Sequence, residues 1–130
     1  MHPVVSRDGV LEVPENPADV GWWAGGARPG DPSGTLVIDG HVDSATLGVG
    51  ALGRLSDLRA GDRITLDTST GATMAYRVTA LRIFEKASGL PASLFERGGP
   101  ARLVLISCGG PFDQEAKSYL DNIAVVALPE

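Results

Sequence analysis

The sequence predicts a mainly β protein: a small closed barrel of about eight short strands, with a few short helical turns. Three observations carry that expectation. Short apolar runs and period-two segments recur along the chain, at Thr35 to Ile38, Arg63 to Asp67, Thr73 to Thr79, Leu103 to Ile106 and Ile123 to Leu128. Runs of that length and pattern read as strands. Turn formers are dense between them, with 17 Gly and 9 Pro in 130 residues. Apolar residues at helical spacing occur in one brief stretch, Leu52, Leu55 and Leu58.

The elements follow in order. Met1 to Gly9 reads as an extended lead-in. Asn16-Pro17 has the form of an N-cap followed by proline at the first helical position, predicting a short helical turn that ends near Gly25-Gly26. Pro29-Gly30 and Pro32-Ser33-Gly34 mark a turn ahead of the strand Thr35-Leu36-Val37-Ile38. Leu52, Leu55 and Leu58 make one apolar face of a short helix stopped by Ala60-Gly61. Arg63 to Asp67 and Thr73 to Thr79 flank Ser69-Thr70-Gly71, so a hairpin is expected, with Leu81 to Glu85 extending its second strand past a bend. Leu90 to Arg97 reads as a loop with one helical turn, closed by Gly98-Gly99-Pro100. The continuous apolar runs Leu103 to Ile106 and Ile123 to Leu128 suit central strands buried on both sides.

At 130 residues the chain makes a single domain, residues 1–130, with one real core. Eleven Lys and Arg against sixteen Asp and Glu give a net charge of −5. That balance offers no basic field to hold a phosphate backbone and argues against nucleic acid as a partner. No apolar run approaches the roughly 18 residues of a membrane span. The one cysteine, Cys108, excludes an internal disulfide framework and a Cys-rich zinc site. No His, Asp and Glu set has the spacing of metal ligands, so no metal site is expected.

Two polar residues stand at comparable places. His41 follows the apolar run ending at Ile38 by three residues, and Cys108 follows the run ending at Ile106 by two. If the two strands lie parallel and near one another, imidazole and thiol share one edge of the sheet. A nearby histidine lowers the pKa of a thiol and later protonates a leaving amine. A free cysteine is also, and often, a small buried hydrophobe, so spacing alone leaves both readings open. Gly109-Gly110-Pro111 turns the backbone just after the cysteine, and N–H groups near Gly109 are available to a developing oxyanion. Arg102, six residues upstream, lies about 20 Å away on the same strand and at its wrong end. Lys117 follows a loop able to double back beside Cys108, but on spacing alone it is an ordinary solvated lysine. Asp39 and Asp43 flank His41 and either orient it or cap a turn. Trp22 and Trp23 read as core and rim packing.

Several strings occur in a telling order: Val20-Gly21-Trp22-Trp23, Arg28-Pro29-Gly30, Gly40-His41-Val42-Asp43-Ser44, Leu55 to Leu58 ahead of Gly61-Asp62, Leu105 to Asp113, and Ser118 to Asn122. Together they resemble the sortases, most like the actinobacterial class F group, from about Gly9 to the C-terminus. The resemblance implies an eight-stranded barrel and a Cys-His-Arg transpeptidase of the extracytoplasmic face, needing no cofactor. Its substrates would be proteins bearing a Leu-Pro-x-Thr-Gly type sorting signal, and its acceptor an amine on a peptidoglycan precursor. Cys108 and His41 fall on the family's nucleophile and histidine. Ser107 and Gly109 fall beside the peptide site, and a monomer is expected.

Two departures stand out. The family's arginine position carries Lys117, and an ammonium lacks the planar fork of a guanidinium. Ahead of the region matching Gly9 to Pro14 the family has a membrane anchor and a strand of the form apolar-x-Ile-Pro, whereas here only Met1 to Asp8 precede it. The expectation is an ectodomain lacking its anchor, with the first barrel strand trimmed away or absent. Both departures keep a second reading open, a degenerate sortase that binds a sorting signal or pilin-like partner with little turnover. A third reading is a β-barrel adaptor with an unreactive thiol.

Overall fold

A computed structural model describes residues 2–4, 6–7, 10–11, 19–41, 43–44, 48–49, 52, 55–68, 71–85, 89–115 and 118–130. The strands are β1 (His2–Val4), β2 (Ser6–Arg7), β3 (Val10–Leu11), β4 (Val20–Trp23), β5 (Thr35–Gly40), β6 (Asp43–Ser44), β7 (Gly48–Val49), β8 (Arg63–Asp67), β9 (Thr73–Glu85), β10 (Arg102–Asp113) and β11 (Ser118–Pro129). Seven of them form one sheet in the order β1-β4-β5-β10-β11-β9-β8, while β2-β3 and β6-β7 are two-residue pairs beside it. The mainly β expectation holds. The sheet is a curled half-barrel with β1 and β8 at its ends among the described residues, rather than a closed ring of eight.

Burial explains why β5, β10 and β11 sit at the centre. Their apolar runs have no polar side to turn to water, so each needs cover on both faces. On the concave face Leu36, Ile38, Leu103, Leu105, Ile123 and Val125 pack with Leu55 from a single 3-10 turn, Leu55–Asp57. Val20 and Trp22 from β4 and Ile64 and Leu66 from β8 close on the same cluster, so strands from opposite ends of the sheet share one interior. On the convex face Val37, Val104, Ile106 and Ala124 are covered by Trp23, Leu94 and Phe95. Leu94 and Phe95 belong to a second 3-10 turn, Ala92–Phe95, the helical turn expected within Leu90 to Arg97. The Phe95 ring meets Trp23 edge-on, with centroids 5.3 Å apart.

The β8–β9 hairpin lies where expected, with Leu66 opposite Met74 and Gly71 at φ +86° in its turn. The bend expected before Leu81 is a bulge: Ala80 pairs with Val126 and Val78 with Ala127, which leaves Thr79 as the extra residue. Its hydroxyl donates to the Val126 carbonyl at 3.1 Å.

Two expectations need correction. The helical turn predicted from Asn16-Pro17 toward Gly25 gives way to β4, which pairs with β1 and β5. Its burial alternates between half-buried Val20 and Trp22 and fully buried Gly21 and Trp23, and two tryptophans favour a pleated surface over a helix. Asn16 and Pro17 themselves lie outside the described residues. The sharp turn read at Gly109-Gly110-Pro111 is instead a bulge within β10. Gly109 pairs with Asp121 and Phe112 with Tyr119, so Gly110 and Pro111 together oppose Leu120.

Candidate active site

The geometry of the candidate site begins with the one parallel pairing at the centre of the sheet. β5 and β10 run in register from Thr35 opposite Arg102 to Asp39 opposite Ile106. Parallel neighbours need a long crossover, supplied here by residues 41–101. One position beyond Asp39 and Ile106, the Ser107 hydroxyl donates to the Gly40 carbonyl at 2.7 Å. His41 and Cys108 are the next residues of the two chain segments, just past this contact. Neighbouring strands lie about 4.8 Å apart. The condition posed by the sequence, that the two strands be parallel and adjacent, is therefore met.

Each position has a local cause. Gly40 precedes His41 because β4 and Leu52 crowd it: an added Cβ would meet Val20 Cγ1 at 3.2 Å and Leu52 Cγ at 3.3 Å. Those contacts are tighter than side chains ordinarily make, so glycine lets the chain pass. The His41 carbonyl accepts the Leu52 N–H at 3.1 Å, which fixes the return of the segment that follows β5. His41 itself is half-buried. Cys108 lies within β10, opposite Asn122 of β11, past the point where β5 ends. Gly109 follows it opposite Asp121. Ser107 is 4% exposed, and its hydroxyl is engaged by Gly40, so what it does here is align the two strands. Lys117 lies outside the described residues. Arg102 is at the far end of β10, bonded through Nε to Thr35 Oγ1 at 2.8 Å, as its spacing predicted.

Asp39 holds what the sequence did not reveal. It is 2% exposed, and neither carboxylate oxygen has a hydrogen-bond partner among the described residues. Burial raises its pKa from 3.8 to about 7, against a smaller lowering by its own backbone N–H. It therefore gives His41 no carboxylate hydrogen bond, and the orienting role considered for it is not realised. An acid at the end of an apolar run was the available signal, but sequence does not say which face such a residue takes. Asp43 is described only as part of β6. Among the described residues no group of His, Cys, Asp and Glu is placed to hold a metal ion. Nor is any helix among them long and apolar enough to cross a membrane.

A sortase-domain family model matches residues 1–130. Among solved structures, sortase C-1 from Actinomyces oris is similar with a TM-score of 0.68 and 24% identity, over 85% of this chain and 58% of that one. A lid mutant of sortase A from Corynebacterium diphtheriae gives a TM-score of 0.68 and 22% identity, over 98% of this chain and 62% of that one. A pilus-related sortase C of Group B Streptococcus gives 0.67 and 18%, over 85% and 53%. The chain thus spans less than two thirds of the length of these structures. A search of curated proteins found no match. The structural likenesses speak for the fold, and the match along the full sequence speaks for descent: the chain belongs to the sortase family.

Proposed function

We propose that this domain is a sortase-type cysteine transpeptidase in which Cys108 and His41 are the reacting pair. The observation that supports this most is the β5–β10 register, clamped by Ser107 and Gly40 immediately before the two residues. In the first half-reaction the Cys108 thiolate adds to the carbonyl carbon of the Thr-Gly bond in a Leu-Pro-x-Thr-Gly type signal. The C–N bond then breaks, protonated His41 delivers its proton to the departing amine, and a thioester to Cys108 remains. In the second, an amine on a peptidoglycan precursor attacks the thioester while His41 takes its proton and the thiolate leaves. Water in place of the amine gives hydrolysis.

The oxyanion is served by Lys117, at the family's arginine position, and by N–H groups around Gly109. Removing one such donor typically costs about 2.7–4 kcal/mol in the transition state, and an ammonium replaces a guanidinium only as a point charge. The reaction needs no cofactor. It belongs to the extracytoplasmic face, in a membrane-anchored monomer of the class F type.

Cleavage of quenched Leu-Pro-x-Thr-Gly peptides, with mass spectrometry for the acyl adduct, tests this. Wild type should cleave and acylate, Cys108→Ala should lose about 10³-fold or more, and Lys117→Arg should match or exceed wild type. Full cleavage by Cys108→Ala would remove the nucleophile from the scheme. Absence of both turnover and adduct in wild type and Lys117→Arg would favour a domain that binds without reacting.

A further inference from the structure

A cleft lies on the convex face, toward the start of β10. Its volume is about 490 Å³, within the range of small-ligand sites. Phe84 from β9, Val126 from β11 and Leu94 from the Ala92–Phe95 turn give it apolar walls, and Arg82 and Arg102 both line it. Arg102 stands six residues before Cys108, about 20 Å along the strand, so the cleft is separate from the proposed reacting pair.

The charges in this cleft are uncompensated. Arg63 and Arg77, elsewhere on the β8–β9 hairpin, share the Glu130 carboxylate at 3.0 and 2.6 Å. Arg102 instead binds neutral oxygens, Thr35 Oγ1 through Nε and the Ser93 carbonyl through Nη2, which fix its guanidinium and leave Nη1 without a partner among the described residues. Arg82 makes no hydrogen bond or ion pair among the described residues, and no Asp or Glu lines the cleft. In a chain of net charge −5, two arginines thus line one cleft in which no carboxylate among the described residues answers them. Guanidinium groups recognise carboxylate and phosphate oxygens through paired N–H donors, and partial desolvation by apolar walls strengthens such bonds.

We infer that this cleft is a binding site for a small amphiphilic oxyanion, a carboxylate or phosphate monoester carried on a short apolar body. The oxyanion sits between Arg82 and the fixed Arg102, and the apolar body lies over Val126, Phe84 and Leu94. The inference stands apart from the transpeptidase reading and survives or fails without it.

Titration of the folded domain with octanoate and octyl phosphate, followed by amide chemical shifts, tests it. Octanol and inorganic phosphate serve as controls for the body alone and the anion alone. Saturable shifts at Ser93, Leu94 and Val126 are expected by about 10 mM with one or both amphiphiles, at least tenfold tighter than either control. Whichever amphiphile binds more tightly identifies the headgroup as carboxylate or phosphate. Arg82→Glu, at an exposed position, should weaken binding at least tenfold while preserving the fold, and Arg82→Lys should recover part of the loss. The inference is overturned if neither amphiphile saturates, if octanol binds equally well, or if Arg82→Glu leaves affinity unchanged.

Discussion

The two ends of the β5–β10 ladder are built on opposite terms. At its start the polar groups are partnered: Thr35 is buried, and its hydroxyl accepts from Arg102, which also binds the Ser93 carbonyl. Backbone bonds add to this, since Gly34 N–H donates to Gly99 and the Arg102 N–H to Gly34. At its finish Asp39 is as deeply buried as Thr35, yet its carboxylate has no hydrogen-bond partner among the described residues. Burying an unpaired carboxyl opposes folding, whereas a satisfied pair is close to neutral or favourable. The lesson is that the ladder is anchored from the Thr35 end, and the end carrying His41 and Cys108 is the one that bears the cost.

The largest expected break in this comparison comes from Asp39→Asn. The folded carboxyl titrates near 7 against 3.8 in the free group. Below 3.8 both folded and unfolded states are protonated, and burial adds no pH dependence. As pH rises from 3.8 to about 7 the unfolded chain ionises first, so wild-type stability falls, and the full loss is reached above 7. At about 1.36 kcal/mol per pKa unit the ceiling is about 4 kcal/mol. Urea unfolding of both proteins between pH 4 and 8 should therefore give nearly equal stabilities at pH 4 and a widening advantage for the variant. Parallel pH profiles would mean that Asp39 finds a partner in solution.

Thr35→Val sharpens the comparison at the partnered end. It strips the acceptor from a charged donor, for an expected loss of about 1.5–3 kcal/mol, with the same value across that pH range. A pH-dependent loss would place the titrating group at the wrong end of the ladder. The smallest effect on stability is expected for Ser107→Ala, about 1 kcal/mol for one neutral hydrogen bond. Its effect on turnover should be much larger. Misalignment of reacting groups by about 1 Å costs as much as 10²-fold, so kcat should fall with little change in KM. Unchanged kcat would show that the Ser107–Gly40 clamp is structural only.

Much of the fold was legible in the sequence because its signals were local. The runs Leu103 to Ile106 and Ile123 to Leu128 became β10 and β11, and the Gly71 turn sits between β8 and β9. The Asn16-Pro17 signal misled because a capping pattern reports only on local preference. The partners that make Val20–Trp23 a strand, β1 and β5, come from elsewhere in the chain. His41 and Cys108 were readable as a pair only on the condition that their strands run parallel and adjacent, since that adjacency is a long-range property that β5 and β10 supply. Asp39 was less legible still. Its alternation within β5 puts it on the covered convex side, and nothing in its neighbours' identities announces that no donor waits there. The placing of Arg82 and Arg102 along one cleft was similarly hidden, because it arises only through the packing of three strands and a turn.

The clamp between Ser107 and Gly40 spans 67 positions of chain. Contacts of such separation must meet a large closure entropy before they return any stabilisation, whereas the β8–β9 and β10–β11 hairpins close over short loops. The strand carrying the thiol thus finds its hairpin partner cheaply and its parallel partner dearly. If Cys108 and His41 react as proposed, that chemistry is tied to completion of the fold, and a chain still short of that state holds an ordinary cysteine.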